Sequence, residues 1–418
     1  MAGIVVALLC LTCKKADVNQ GSFPTTSGII LYADNGGNVL KSFGAAPDGN
    51  LYFGGYIYNS GNMAAQGFIR KTDMAGKTLW AKTYGGSEDD SFNMVRPTSD
   101  GGFICAGATS SYGNGITRKD GIEDAYILKT DANGNLQWQN SFGLQYQDRF
   151  MDVVEAPDHG FVAAGSDVDL NTSDGQYEHR AWAVKTDANG AYVYQKEAFV
   201  TYYRTEVYGT EFLTDGRIGL AVAQVKSDSV KDQNSYCPAL TLFTSNLHGS
   251  YGEITYRSFG YCNVNCPYPF VNMLTYADGM VLYCNMYSAS GIRSVVVFKV
   301  DLTGKVLWEK EFFGEGNASF ASVRKDDAGN IIIAGNTQDI HLLNSGWILK
   351  IDPSANKLWE THIPAPGCNI TAIGSVPVGD HWAIGTNIQQ HTNGKESPFY
   401  GLLFIDSNGK IVEQKNNR

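Results

Sequence analysis

The residues best suited to chemistry lie in short connections between strand-like segments: Glu88, Asp89 and Asp90; Tyr146, Asp148 and Arg149; Tyr202, Tyr203, Arg204 and Glu206; Tyr261 and Tyr268; Phe313 and Glu315. Tyrosines beside guanidinium and carboxylate groups suit a glycan, through ring stacking with hydrogen bonds, or a protein loop, through amphipathic anchors. Tyr202-Tyr203-Arg204 is the densest such patch. The competing reading makes these aromatics wedges between packed layers and the charges a solvated rim. Asp89, Asp90 and Glu206 could also pair as acid and base on a polysaccharide, if the fold brings them together. Stricter motifs are missing. The seven histidines have no metal-ligand spacing, and no nucleophile elbow, phosphate loop or dinucleotide motif occurs. Asp131-Ala132-Asn133-Gly134-Asn135 opens like a calcium-binding EF-hand loop, but its twelfth position is Phe142 instead of glutamate, so a tight turn is the better reading. No metal and no cofactor is expected.

Composition narrows the class. With 32 basic and 42 acidic residues the net charge is -10, and the basic residues form no cluster, which argues against a nucleic-acid partner. Forty-seven glycines, 12% aromatic residues and a 43% apolar fraction fit a well-packed, turn-rich β protein.

What positions the candidate residues is an internal repeat. Apolar residues run into K-x-D or a relative of it, ending at Asp73, Asp131, Asp187, Ser245, Asp301, Asp352 and Asp406, with steps of 58, 56, 58, 56, 51 and 54. A second series of turns alternates with the first, from Asp48-Gly49 and Asp100-Gly101 to Gly379-Asp380. Between them each repeat reads as four short strands, A to D; in the second, A is Phe92 to Pro97, B is Gly102 to Ala108, C is Ala125 to Thr130 and D is Leu136 to Ser141. Asp-Gly and Asn-Gly pairs provide the positive φ of tight hairpins. Strand B is apolar on both faces (Phe103, Ile104, Cys105, Ala106), so a layer must cover each side. Radial stacking satisfies that demand, and the expected fold is all-β: a seven-bladed β-propeller of four-stranded antiparallel blades over residues 29–418, its ring closed by N- and C-terminal strands. Glycine near the end of strand B (Gly55, Gly107, Gly165, Gly335, Gly385) fits crowding toward the axis, and a large apolar residue on strand D (Trp80, Trp138, Trp308, Trp359) fits packing between blades. Ile29 to Tyr32 and Lys410 to Gln414 are the candidate closing strands.

The pattern D-G-G-F-I-x-A-G followed by D-A-Y-I-L-K-T-D-A-N-G-N-L-Q-W resembles the propeller repeats of secreted and lipid-anchored bacterial surface proteins across residues 29–418; the fourth repeat departs most, with Phe243-Thr244-Ser245 in place of K-x-D. That resemblance implies a fold and an exported location, and no activity. The N-terminus agrees. Gly3 to Leu11 is an apolar run of signal-peptide length, and the following Thr12-Cys13-Lys14-Lys15 resembles the start of a bacterial lipoprotein. On that reading residues 1–13 are a signal peptide with Cys13 lipidated, and 14–28 a flexible tether; an ordinary cleaved signal peptide is the alternative, and Cys10 the other candidate thiol. Cys262 and Cys266 are placed for a local disulfide, with Cys237 able to compete, and Cys105 and Cys284 fall in apolar strands as buried free thiols.

Strand parity puts the B–C and D–A connections on one face and the tight turns on the other. The B–C connections differ from repeat to repeat, so this loop face is where binding is expected. The leading expectation is a monomeric, surface-exposed lipoprotein of the outer membrane that binds a glycan or a partner protein through Tyr146, Asp148, Arg149, Tyr202, Tyr203, Arg204, Glu206, Tyr261 and Tyr268. A polysaccharide hydrolase or lyase is second, and a structural envelope component third.

Overall fold

The computed structural model describes residues 29–32, 37–58, 64–111, 123–143, 146–171, 176–198, 204–225, 236–243, 255–258, 271–287, 292–338, 344–363, 368–392 and 395–412. They form an all-β protein of four-stranded antiparallel blades arranged as a propeller. In the second repeat, Asp90–Pro97, Phe103–Thr109, Asp124–Thr130 and Leu136–Phe142 pair in sequence order, within two residues of the strands expected. The first (A) strands are Asn38–Ala45, Asp90–Pro97, Arg149–Glu155, Arg204–Phe212, Val271–Tyr276, Asn317–Lys325 and Cys368–Val378. Each packs beside the next, and Cys368–Val378 packs beside Asn38–Ala45.

The count of separate blades differs from expectation: there are six hydrogen-bonded sheets, not seven. The third and fourth repeats share one eight-stranded sheet, joined by a single parallel pair, His179 with Arg204. The cause is local. Among the described residues, strand C of the third repeat (Gln176–Thr186) extends beyond its D strand (Tyr192–Ala198), which pairs with Ala181–Thr186, and the edge at His179 takes the incoming backbone. At the other end of the chain, Ile29–Tyr32 pairs antiparallel with Tyr400–Leu403, and Ile411–Val412 pairs with Phe404 and Ile405 farther along the same edge.

The two sequence anchors meet in space. The K-x-D lysine of strand C reaches the aspartate of the A–B turn in the same repeat: Lys71 with Asp48 at 2.6 Å, Lys129 with Asp100 at 2.7 Å, Lys185 with Asp158 at 2.8 Å, Lys299 with Asp278 at 2.7 Å and Lys350 with Asp326 at 2.9 Å. The K-x-D aspartate organises the C–D turn. Asp131 Oδ1 accepts the N–H groups of Asn133 and Asn135, both at 2.8 Å, an Asx turn that occupies the carboxylate an EF-hand would offer to calcium. Gly101 (φ 84°) and Gly134 (φ 72°) supply the left-handed residue of these turns, while His159 (φ 62°) and Ala355 (φ 63°) take the same places without a glycine's freedom.

Strand B is buried on both faces as its sequence demands: Phe103, Ile104, Cys105 and Ala106 are each 0% exposed. The core is accordingly a set of wedges between neighbouring repeats, such as Tyr52 and Ile69 against Phe92, Val95, Phe103 and Leu128. Cys105 and Cys284 are buried in their strands as expected, as is Cys368. Trp80 and Trp138 serve these wedges, Trp80 edge-on to Phe103 and Trp138 against Phe161, with the Trp138 indole N–H donating to Ala188 O at 3.1 Å.

The strand-B glycines have a cause more specific than crowding. Six A strands carry a β-bulge, at Lys41, Asn93, Met151, Tyr208, Ala321 and Ile373. In four repeats the carbonyl two residues before the bulged residue presses onto the strand-B glycine: a Cβ on Gly55, Gly107, Gly165 or Gly335 would lie 1.8–2.0 Å from the oxygen of Val39, Ser91, Arg149 or Ser319.

Candidate functional site

Two places carry unlike residues from repeat to repeat: the loop face and the central channel. On the loop face several predicted residues prove to be braces. Asp89 Oδ1 accepts the N–H of Ala65, at the head of the preceding repeat's C strand, at 2.6 Å. Asn317 and Asn369 accept from Arg293 at 2.8 Å and from Asn344 at 2.9 Å in the same way, so this is an inter-repeat tie. Asp90, 1% exposed, accepts from Gly86 N–H and Ser111 Oγ, both at 2.7 Å, and from Thr109 Oγ1. Burial raises its pKa, and these bonds only partly offset the rise. Asp148, 0% exposed, accepts the Val168 N–H at 3.0 Å.

The remaining described candidates stay accessible. Arg149 is half-buried and pairs with Glu123 at 3.1 Å. Glu206 accepts from Tyr208 Oη at 2.5 Å and lies 3.8 Å from His179 Nδ1. Tyr146 is half-buried at the end of its connection. Arg149 and Glu206 sit on neighbouring A strands, two residues before the respective bulges at Met151 and Tyr208, which places them at one level of the channel mouth. Tyr202, Tyr203, Tyr261, Tyr268, Cys13, Cys262 and Cys266 lie outside the described residues, and Arg204 is described only in its backbone. Two connections expected as loops are hairpin extensions instead. Phe161–Asn171 pairs with Gln176–Thr186 out to Asn171 and Gln176, and His381–Thr392 pairs with Lys395–Asp406 out to Thr392 and Lys395. Alternating residues such as Val168, Asp169 and Leu170 continue the strand pattern past the blade's edge.

The sequence reading passed over the channel. The A strands enclose a cavity of about 390 Å³ whose lining includes Lys41, Arg96, Glu211, Asn272, Ser322 and Arg324. Arg96 grips Asp152 through two bonds of 3.0 and 2.8 Å and also reaches Glu211 at 2.6 Å, tying the second repeat to the third and fourth. Asp152 in turn accepts the Thr210 N–H at 2.9 Å. Its burial raises its pKa against the opposing pull of the Arg96 guanidinium. Lys41 stands in water but is walled by protein, and burial together with the charge of Arg149 lowers its pKa. The signal was present in the sequence as charged residues inside otherwise apolar A strands, as in NVLKSFGA and DSFNMVRP.

A third place is an open depression of about 700 Å³ at the tight-turn face between the second and third repeats. Here Ser99, Glu155 and His159 come together, but Ser99 Oγ donates to Glu155 Oε1 at 2.5 Å and His159 Nδ1 meets that same oxygen at 3.0 Å. Ser99 Oγ also lies 3.3 Å from His159 Nδ1, the same ring nitrogen that meets the acid, so the acid does not orient the imidazole through its other nitrogen as a nucleophilic relay requires. Among the described residues no group of three His, Cys, Asp or Glu side chains could hold a metal ion.

No protein-family model matches this chain, and no curated protein matches it in sequence. Solved structures do match. The β-propeller domain of the Trilobed protease from Pyrococcus furiosus is 9% identical with a TM-score of 0.48, covering 92% of this chain and 98% of that one. The NanB sialidase from Streptococcus pneumoniae is 8% identical with a TM-score of 0.47, covering 93% and 72%. Sqt1 from Chaetomium thermophilum is 11% identical with a TM-score of 0.46, covering 91% and 99%. Likeness at this level concerns overall shape, and no residue role is carried over from these proteins.

Proposed function

We propose that this protein is a binding propeller and not an enzyme: an exported, lipid-anchored scaffold that presents its loop face to a glycan or a partner protein. The observation that carries this reading is the division of labour among its carboxylates. Asp89 and Asp90, two of the three acids considered for proton transfer, hold strands together, as does Asp148, whereas the third, Glu206, stays accessible with Arg149 on the neighbouring A strand. Binding is proposed to centre on Tyr146, Arg149, Tyr202, Tyr203, Arg204 and Glu206, with Cys13 as the lipidated residue. The two terminal strands that share the edge of Lys395–Asp406 are proposed to close the ring.

Glycan-array and pull-down measurements on the purified chain test the reading. Arg149→Ala combined with Glu206→Ala weakens binding at least about tenfold, the loss expected from one or two charge-assisted hydrogen bonds. Polysaccharide turnover abolished by Glu206→Gln without loss of fold would instead establish the hydrolase or lyase reading. Palmitate labelling in the bacterium, lost in Cys13→Ala and kept in Cys10→Ala, tests the anchor.

A further inference from the structure

The channel holds cations that the fold leaves unanswered. Lys41, the bulged residue of the first A strand, has no hydrogen-bond or ion-pair partner among the described residues, and its one favourable contact is the Tyr56 ring, 5.9 Å from Nζ to the centroid. Arg324 crosses from the sixth repeat to the first, where it donates to Phe43 O at 3.0 Å, and no carboxylate pairs with it among the described residues. Ser322, two residues before it, has a buried hydroxyl with no hydrogen-bond partner among the described residues. All three line the same cavity of about 390 Å³. The other channel cations are accounted for. Arg96 is met by Asp152 and Glu211, Arg149 by Glu123, and Lys325 by Thr275 O at 2.8 Å and the Tyr276 ring at 4.6 Å.

An ammonium and a guanidinium facing one walled cavity repel one another, and that repulsion is weakly screened where protein replaces water. The chain as a whole carries a charge of -10, so the positive surplus is a local feature of the channel and not a property of the surface. An anion would supply what each group lacks: a counter-charge for Lys41, a second acceptor for Arg324 and an acceptor for Ser322. We propose that the central channel is a site for a small oxyanion, a carboxylate or a phosphate group, held between Lys41 and Arg324 with Ser322 donating to it. The cavity falls within the range of small-molecule sites, so the ligand is a small acid and not a polymer. Lys41 also feels the charge of Arg149, so this site adjoins the proposed loop-face residues, and the Lys41 and Arg324 variants test it without altering them.

Titration calorimetry of the full chain with inorganic phosphate and, separately, with glucuronate tests it. One saturable site is expected for at least one of the two, and the anion that binds identifies the source of the oxyanion. Affinity falls about tenfold or more in Lys41→Met and in Arg324→Gln, the scale of one charge-assisted hydrogen bond. It is unchanged in Lys82→Met, which removes a lysine bonded to Asn135 on an outer strand. A thermal readout separates this role from a structural one. Without added anion, Lys41→Met keeps or raises the melting temperature, because it removes an unanswered charge, and it loses the upward shift that the anion gives the unaltered protein. Absence of saturable binding to both anions, or equal affinity in Lys41→Met and Arg324→Gln, overturns the proposal; should Lys41→Met fail to fold, Arg324→Gln decides alone.

Discussion

The tight-turn face and the channel are built from the same strands and solve opposite problems. On the turn face five of the repeats answer their own charge. The lysine of strand C meets the aspartate of the A–B turn, and the next aspartate takes up the N–H groups of the C–D turn. In the channel, charge is answered between repeats or not at all. Arg96 needs Asp152 and Glu211 from the two following repeats, and Lys41 has no ion-pair partner among the described residues. A closed local circuit can be copied from repeat to repeat, whereas one that spans repeats cannot. That is why one face looks uniform and the other individual.

The comparison can be broken in several places, beginning where the expected effect is largest. Gly107→Ala sets a Cβ 1.8 Å from Ser91 O, a clash with backbone that no rotamer relieves, and should cost about 3 kcal/mol by urea unfolding. An unchanged midpoint would mean that the bulge does not need its glycine. Asp152→Ala leaves the Thr210 N–H without its acceptor and Arg96 with one carboxylate, at a cost of about 2 kcal/mol or more. On the turn face the effects should be smaller. Asp131→Ala removes the acceptor of two turn N–H groups and should cost about 1 kcal/mol, and Ala355→Gly, which relieves a left-handed alanine, should stabilise by up to about 1 kcal/mol.

The smallest effect is a pH dependence. Burial alone would raise the pKa of Asp100, but hydrogen bonds from Lys129, Thr98 and Gly102 outweigh it and hold the carboxyl at about 2, below its ordinary 3.8. A depressed carboxyl stabilises the fold above pH 3.8 and loses that contribution as pH falls toward 2. Asp100 is 52% exposed, so solvent screening keeps the contribution below about 1 kcal/mol. Melting curves at pH 5 and pH 2.5 should converge slightly when Lys129→Met is compared with the unaltered chain; a constant gap would mean that the pair contributes nothing through ionisation.

Local rules explain how much could be read from the chain. Strand C, its turn and strand D in the second repeat were legible because Asp131, Gly134 and Trp138 each obey a rule spanning only a few residues. The blade architecture followed from Phe103, Ile104, Cys105 and Ala106, whose two-sided apolarity demands cover. The shared sheet was not legible, because the pairing of His179 with Arg204 depends on how far one D strand reaches. Among the candidate residues, Arg149 and Glu206 lie on neighbouring A strands, but Asp89 and Asp90 looked like free acids because their N–H and hydroxyl donors lie 19 to 24 residues away, except for the nearby Gly86. Arg96 and Asp152 are 56 residues apart, and only the packing of neighbouring A strands brings them together.

The pairing of Ile29–Tyr32 with Tyr400–Leu403 also sets a clock. Ile29–Tyr32 is made well before the partner strand at Tyr400–Leu403, and at ordinary ribosomal speeds of about 5–20 residues per second that delay is roughly 20 to 70 s. Throughout it the apolar segment IILY has neither its neighbour nor the wedge it completes. Intermediate repeats can assemble as they emerge, but this segment must be kept from other unpaired edges until its partner strand is made. How long this edge waits is therefore set by the length of chain between the two strands, and not by the chemistry of any single blade.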